Sequence, residues 1–157
     1  MKTKSSEIFC FTIEKQLFAI PLATVDQVLM AMAVTSVPKS PPIIHGIIDY
    51  HGVVVPVINL RFRLKMPARP IRINDVFIIS ETSKRTIALV ADEANDVMVP
   101  DVNDMTSANE LDSGFEPAGI FRRDDGIILI YDIEHFLTAQ EEIELQTAID
   151  NNPNESK

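Results

Sequence analysis

The stretch Ile43-Ile44-His45-Gly46-Ile47-Ile48-Asp49-Tyr50-His51-Gly52-Val53-Val54-Val55-Pro56-Val57-Ile58-Asn59-Leu60-Arg61 decides the reading of this chain. Its second half, Val53 to Leu60, is an apolar run of strand length, rich in β-branched residues and preceded by a glycine. Such a run reads as a buried strand rather than a helix. Pro56 lies inside it and has no N–H to give a ladder, so the strand must be an edge or carry a bulge there. Barrels and sandwiches tolerate that at their corners. In the first half, Pro42 to Gly46 reads as a short helical turn ending at Gly46.

Outward from this stretch the pattern repeats. Ile8 to Ile13, Leu17 to Leu22, Val76 to Ile79, Ile87 to Ala91 and Ile127 to Tyr131 are further short apolar runs separated by turn chemistry, and the class is mainly β. Lys15-Gln16 is expected to turn the first hairpin, and Asp125-Gly126 to close another between Gly119–Arg123 and Ile127–Tyr131. Thr24 to Met30 reads as a second short helix. Thr138 to Ile149 is a longer one, because Thr138 and Glu141 form a capping box and Leu145, Ala148 and Ile149 share a face. The polar residues from Asp150 to Lys157, broken by Pro153, are expected to form a flexible tail, as are residues 1–6.

Composition narrows the function. With 157 residues, one domain is expected, and 46% hydrophobic residues suffice for a core. A net charge of −9 with no Trp and two Tyr argues against nucleic acid. Cys10 stands alone, which fits a reducing compartment. No apolar run approaches the roughly 18 residues of a membrane span, and Met1 to Gln16 lacks the apolar centre of a secretory signal, so a cytoplasmic location is expected.

Charge is unevenly spread. Arg61, Arg63, Lys65, Arg69 and Arg72 cluster in a stretch free of acids, whereas Asp92, Glu93, Asp96, Asp101, Asp104, Glu110, Asp112 and Glu116 fall in one free of cations. Two opposite surface poles are the expectation. The five glycines fit no phosphate-binding loop, no serine stands in a nucleophile elbow, and the three histidines are not spaced as zinc ligands. Asp101-x-Asn103 opens like a calcium loop, but Thr106 replaces the turn glycine. Adjacent acids such as Asp92-Glu93 point to opposite faces of a strand and read as turn and solvent residues. No catalytic residue, metal or cofactor is nominated. A binding module remains.

The opening stretch resembles the signature of the CheW coupling-protein family: a glycine, then Asn-Leu-Arg-Gly, aliphatics, Pro-Val and Asp-Leu-Arg. Phe11 to Val28, Ile87 to Val97 and Gly119 to Leu137 are similar to further family blocks in the same order, so the resemblance spans about residues 7–148. It implies two SH3-like five-stranded β-barrel subdomains on a shared core with short helices and a C-terminal helix. It also implies a non-catalytic adaptor that joins the cytoplasmic tips of methyl-accepting chemoreceptors to the regulatory domain of the histidine kinase CheA. By the same resemblance the receptor-facing groove takes in Val25, Gln27, Val28, Gly46, His51, Gly52 and Val97, and Arg61 is a further partner-facing residue. The family's usual acid and Arg are here Gln27 and His51, which suggests a neutral pair in place of an ion pair. The competing reading is a small β-barrel enzyme or ligand-binding regulator that uses the acidic segment 92–116.

Overall fold

A computed structural model describes residues 7–101, 105–106, 117–124 and 126–151. Among the described residues eleven strands form two sheets: β1 Ile8–Ile13, β2 Gln16–Pro21, β3 Val25–Met30, β4 Ile44–Tyr50, β5 Val53–Ile58, β6 Val76–Glu81, β7 Thr86–Ala91, β8 Glu93–Met98, β9 Met105–Thr106, β10 Gly119–Arg123 and β11 Gly126–Ile130. Two helices are added, α1 Leu60–Arg63 and α2 Ala139–Asp150. The first sheet runs β8-β1-β2-β11-β10-β9 and the second β3-β6-β7-β5-β4. Apart from the two-residue β9, both have one plan: an edge strand, an antiparallel hairpin, then a parallel step onto a second hairpin. These are the two expected five-stranded, SH3-like units. One is assembled from the two ends of the chain and the other from its middle.

Why the strands read as unbroken apolar runs follows from what each face covers. Side chains alternate across a strand. In β1, Phe9, Phe11 and Ile13 enter a core shared with Ile44, Ile58, Ile78 and Leu89 of the second sheet, whereas Ile8 and Cys10 pack inside the first. The second sheet does the same, with Ile78 and Leu89 in the shared core and Phe77, Ile79 and Ala88 on its own interior. Strands buried on both faces lose the alternating signature. Thr138 caps α2 with the expected box, and Leu145 and Ala148 are buried beneath it. Ion pairs Arg63–Glu141 and Arg85–Glu142 hold the helix against α1 and the β6–β7 turn.

Pro56 sits opposite Ile47 of β4, and β7 begins to pair with β5 only at Val57, so Pro56 has no second neighbour and is locally an edge residue. The short helix expected over Thr24 to Met30 is a strand instead. Of that stretch Thr24 alone is helical, as the last residue of the 3-10 turn Leu22–Thr24. A bulge between Val25 and Gln27 shifts the alternation, so Val25 and Val28 turn inward at a spacing that imitates a helix. Gly46 likewise ends no helix; it lies within β4 at a bulge, with φ +156°. Both hairpins close one residue early. Ile13 pairs with Gln16 across Glu14-Lys15, and Arg123 pairs with Gly126. The edge strand β8 is polar over Glu93–Asp96 and escaped the apolar pattern, and in β3 Asp26 and Gln27 interrupt it. Helix α2 continues through Asp150, where a tail was expected to begin, and the expected flexible ends 1–6 and 152–157 lie outside the described residues.

Candidate functional site

Strands β3 and β4 are the two edges of the second sheet, yet the sheet curls so that they meet. Near one end, the Tyr50 hydroxyl donates to Asp26 Oδ2 at 2.7 Å and lies 2.7 Å from Gln27 Oε1. At the other, Thr35, just beyond β3, exchanges backbone hydrogen bonds with Ile47 of β4. The hydrogen bond to Asp26 raises the Tyr50 pKa above its ordinary value, because the carboxylate favours the protonated phenol. His51 and Gly52 follow with φ +54° and +85°, both positive as a two-residue primed turn requires. Asp49 Oδ1 steadies the turn by accepting the Gly52 N–H at 2.8 Å. The His51 ring centroid lies 4.4 Å from that of Tyr50.

The expected site residues therefore separate into groups. Gln27, His51 and Gly52 gather around Tyr50 on the exposed tip, with Val25 and Val28 beside them, half-buried against the shared core. The Gln27–His51 pairing is not formed: Gln27 Oε1 lies against the Tyr50 hydroxyl and the His51 ring against the Tyr50 ring. Val97 is on β8 of the other sheet and is 45% exposed. Its neighbour Met98 pairs with Ile8, which pairs with Pro21, so Val97 sits at the end where the chain leaves β2 for Val25. Gly46 lies at the start of β4, away from the tip, and is buried. A Cβ there would stand 2.3 Å from the Thr35 carbonyl oxygen, so only glycine permits that approach.

Arg61 departs most from expectation. It is 8% exposed and binds Glu14 and Asp92, so it faces inward rather than presenting a cation to a partner. Asp92 is a hub: it accepts from Arg61 Nη2 at 2.9 Å, Arg69 Nη2 at 2.7 Å and the Glu14 N–H at 3.0 Å. Arg69 also grips buried Asp75 through two bonds of 2.9 and 2.8 Å. Burial alone would push the Asp75 carboxyl up, but the Arg69 hydrogen bonds, the Arg72 N–H and the nearby guanidinium charges outweigh it and hold the pKa down. The Arg69 guanidinium is pushed up in turn, chiefly by its bond to Asp75. This cluster joins the first sheet, through Glu14 and Asp92, to the second, through α1 and the approach to β6.

Two further expectations change here. Three arginines of the basic pole spend their charge internally, and Asp92 is a structural counter-ion rather than a solvent residue or the start of an acidic ligand site. Most of that segment, including the calcium-loop candidate, lies outside the described residues. Among the described residues no group of His, Cys, Asp and Glu could hold a metal ion, and no helix is long and apolar enough to cross a membrane. Nothing in the spacing of Glu14, Asp75 and Asp92 announced the cluster, because its members come from three separate turns.

A profile of the CheW-like domain matches residues 7–141, almost the whole described length. The chain belongs to the CheW-like domain family. Among its relatives, the chemotaxis protein CheW of Bacillus subtilis is 33% identical over 104 residues, covering 66% of this chain and 67% of that one. CheW of Rhizobium meliloti is 22% identical over 138 residues, covering 86% and 89%. The crystal structure of the scaffolding protein TtCheW from Thermoanaerobacter tengcongensis superposes with a TM-score of 0.78 at 24% identity, over 87% of this CheW-like chain and 95% of that chain. That likeness confirms the fold.

Proposed function

We propose that this CheW-like protein is a cytoplasmic, non-catalytic chemotaxis adaptor that couples methyl-accepting chemoreceptors to the regulatory domain of a CheA-type histidine kinase. The family match across residues 7–141 carries the reading. Its mechanism is surface complementarity between preformed faces. Val25, Gln27, Val28, His51, Gly52 and Val97 form the receptor-facing surface, with Tyr50 added as the residue that fixes the Gln27 side chain. Gly46 serves that surface indirectly by holding β4 against Thr35. The tip, with Gln27 and His51 where the family carries an ion pair and with Asp26 and Asp49 as its charged groups, shifts receptor choice, since specificity follows the charges that a partner must match.

The test measures binding of the full chain to two fragments, a receptor cytoplasmic hairpin and the kinase regulatory domain. Val97→Asp is expected to weaken the receptor complex by about tenfold or more, as a desolvated charge at the centre of an interface does, and to leave the kinase complex intact. Failure of the unaltered protein to bind either fragment overturns the adaptor reading.

A further inference from the structure

We propose that the concavity between the β1–β2 turn and the loop 70–74 is a docking surface for an acidic protein segment that carries one large apolar side chain. Ile73 is 83% exposed, the highest value among the large apolar residues described. Two residues earlier, Ile71 packs into the interior of the second sheet, so the loop sends one isoleucine in and displays the other. The display is rigid. Asp75 Oδ2 accepts the Arg72 N–H at 2.8 Å, the Asp75 N–H donates to the Arg72 carbonyl at 3.0 Å, and Arg69 clamps the Asp75 carboxylate. A loop backbone held ready in this way lowers the ordering cost of binding through Ile73.

The charges beside Ile73 select the partner. Arg72 and Lys15 line the same concavity of about 640 Å³, and neither side chain makes a hydrogen bond or ion pair among the described residues. Arg69, at the floor, is consumed by Asp75 and Asp92. Lys15 is held at the rim by a turn with φ +68°, and Glu14 beside it is tied to Arg61. In a chain of net charge −9, two unspent cations flanking an exposed isoleucine are a local exception. Lys15, Arg69 and Arg72 balance Asp75, Asp92 and Glu93 around the concavity. An acidic segment repelled by the net charge elsewhere therefore meets a locally neutral surface here, with Arg72 and Lys15 left to pair with it within about 10 Å at moderate salt. Glu93 also lines the concavity, paired with Thr12 on the β1 side, and turns the segment's carboxylates away from that strand.

This surface is independent of the receptor reading. Met30 pairs with Val76 and Thr12 with Glu93, which sets it at the far ends of β3 and β1 from Val25 and Val97, about 17 Å along β3.

The experiment uses the full chain and three labelled peptides read by fluorescence anisotropy: glutamate-rich with one leucine, the same with serine for leucine, and lysine-rich with one leucine. The first is expected to bind about tenfold tighter than the others and to weaken about fivefold as salt rises from low ionic strength to about 0.3 M. Ile73→Ser and Arg72→Glu should each weaken it about tenfold with an unchanged thermal midpoint, since neither side chain is bound into the fold. Val97→Asp should leave it unchanged, which separates this surface from the receptor tip. Equal binding of all three peptides, no binding, or wild-type binding by both loop variants overturns the proposal, as does loss of binding in Val97→Asp.

Discussion

The two places where distant parts of this chain are pinned together differ in kind. Around Arg61 the first sheet is locked to the second by a cluster of five charged side chains, half of it withdrawn from water. Around Tyr50 the edges of the second sheet meet through one phenol, an exposed carboxylate and an amide. A buried guanidinium tolerates no loss of its carboxylates, whereas an exposed hydroxyl exchanges its partner for water at little cost. The first junction fixes geometry. The second stays adaptable, and most of the residues proposed to face a receptor gather there.

The contrast can be broken most forcefully at its rigid side. Arg61→Ala strands Glu14 without its cation and leaves Asp92 to Arg69 alone, and should cost about 2–3 kcal/mol, below the loss for a fully buried pair because Glu14 is half exposed and Asp92 keeps a partner. Chemical denaturation checks this. Gly46→Ala should cost about 2 kcal/mol through the clash with Thr35 and the strained φ, lowering the thermal midpoint while kinase binding at sub-denaturing temperature persists. Acid sharpens the comparison. The folded Asp75 carboxyl titrates below its ordinary 3.8, so its ionised form stabilises the fold above that pH, and the contribution is lost as pH falls through the folded value. Thermal midpoints from neutral pH downward should therefore drop steeply in that acid window, and Asp75→Asn should flatten the drop.

On the adaptable side the effects are small. Tyr50→Phe should leave the thermal midpoint nearly unchanged, because water replaces an exposed hydrogen bond. Its mark should appear as altered receptor affinity, measured by calorimetry, with kinase affinity unchanged. His51→Gly should raise stability by a few tenths of a kcal/mol by removing a side chain from a left-handed backbone position, φ +54°.

How much was legible in the sequence follows from the same division. Runs such as Ile8–Ile13 and Val53–Ile58 announced themselves because both faces are buried, and Thr138 with Glu141 announced α2 because capping is local chemistry. The edge strands β3 and β8 did not, since one side of each meets solvent and polar residues occupy it. Of the candidate site, the tip residues could be placed only by resemblance to a family. Arg61 was misjudged because its partners lie 47 and 31 positions away, and no local pattern records a contact of that span. Tyr50 went unnoticed for the same reason, as Asp26 is 24 residues earlier.

The shared strand plan has a consequence for how the chain emerges from a ribosome. All five strands of the second unit lie between Val25 and Ala91, so that unit can zip up while synthesis continues. In the first, β8, β1 and β2 can pair once Met98 is made, but the free edge of β2 waits for β11, whose Ile128 pairs with Leu17 across more than a hundred intervening residues. The inner unit thus becomes the template on which the outer one is laid down.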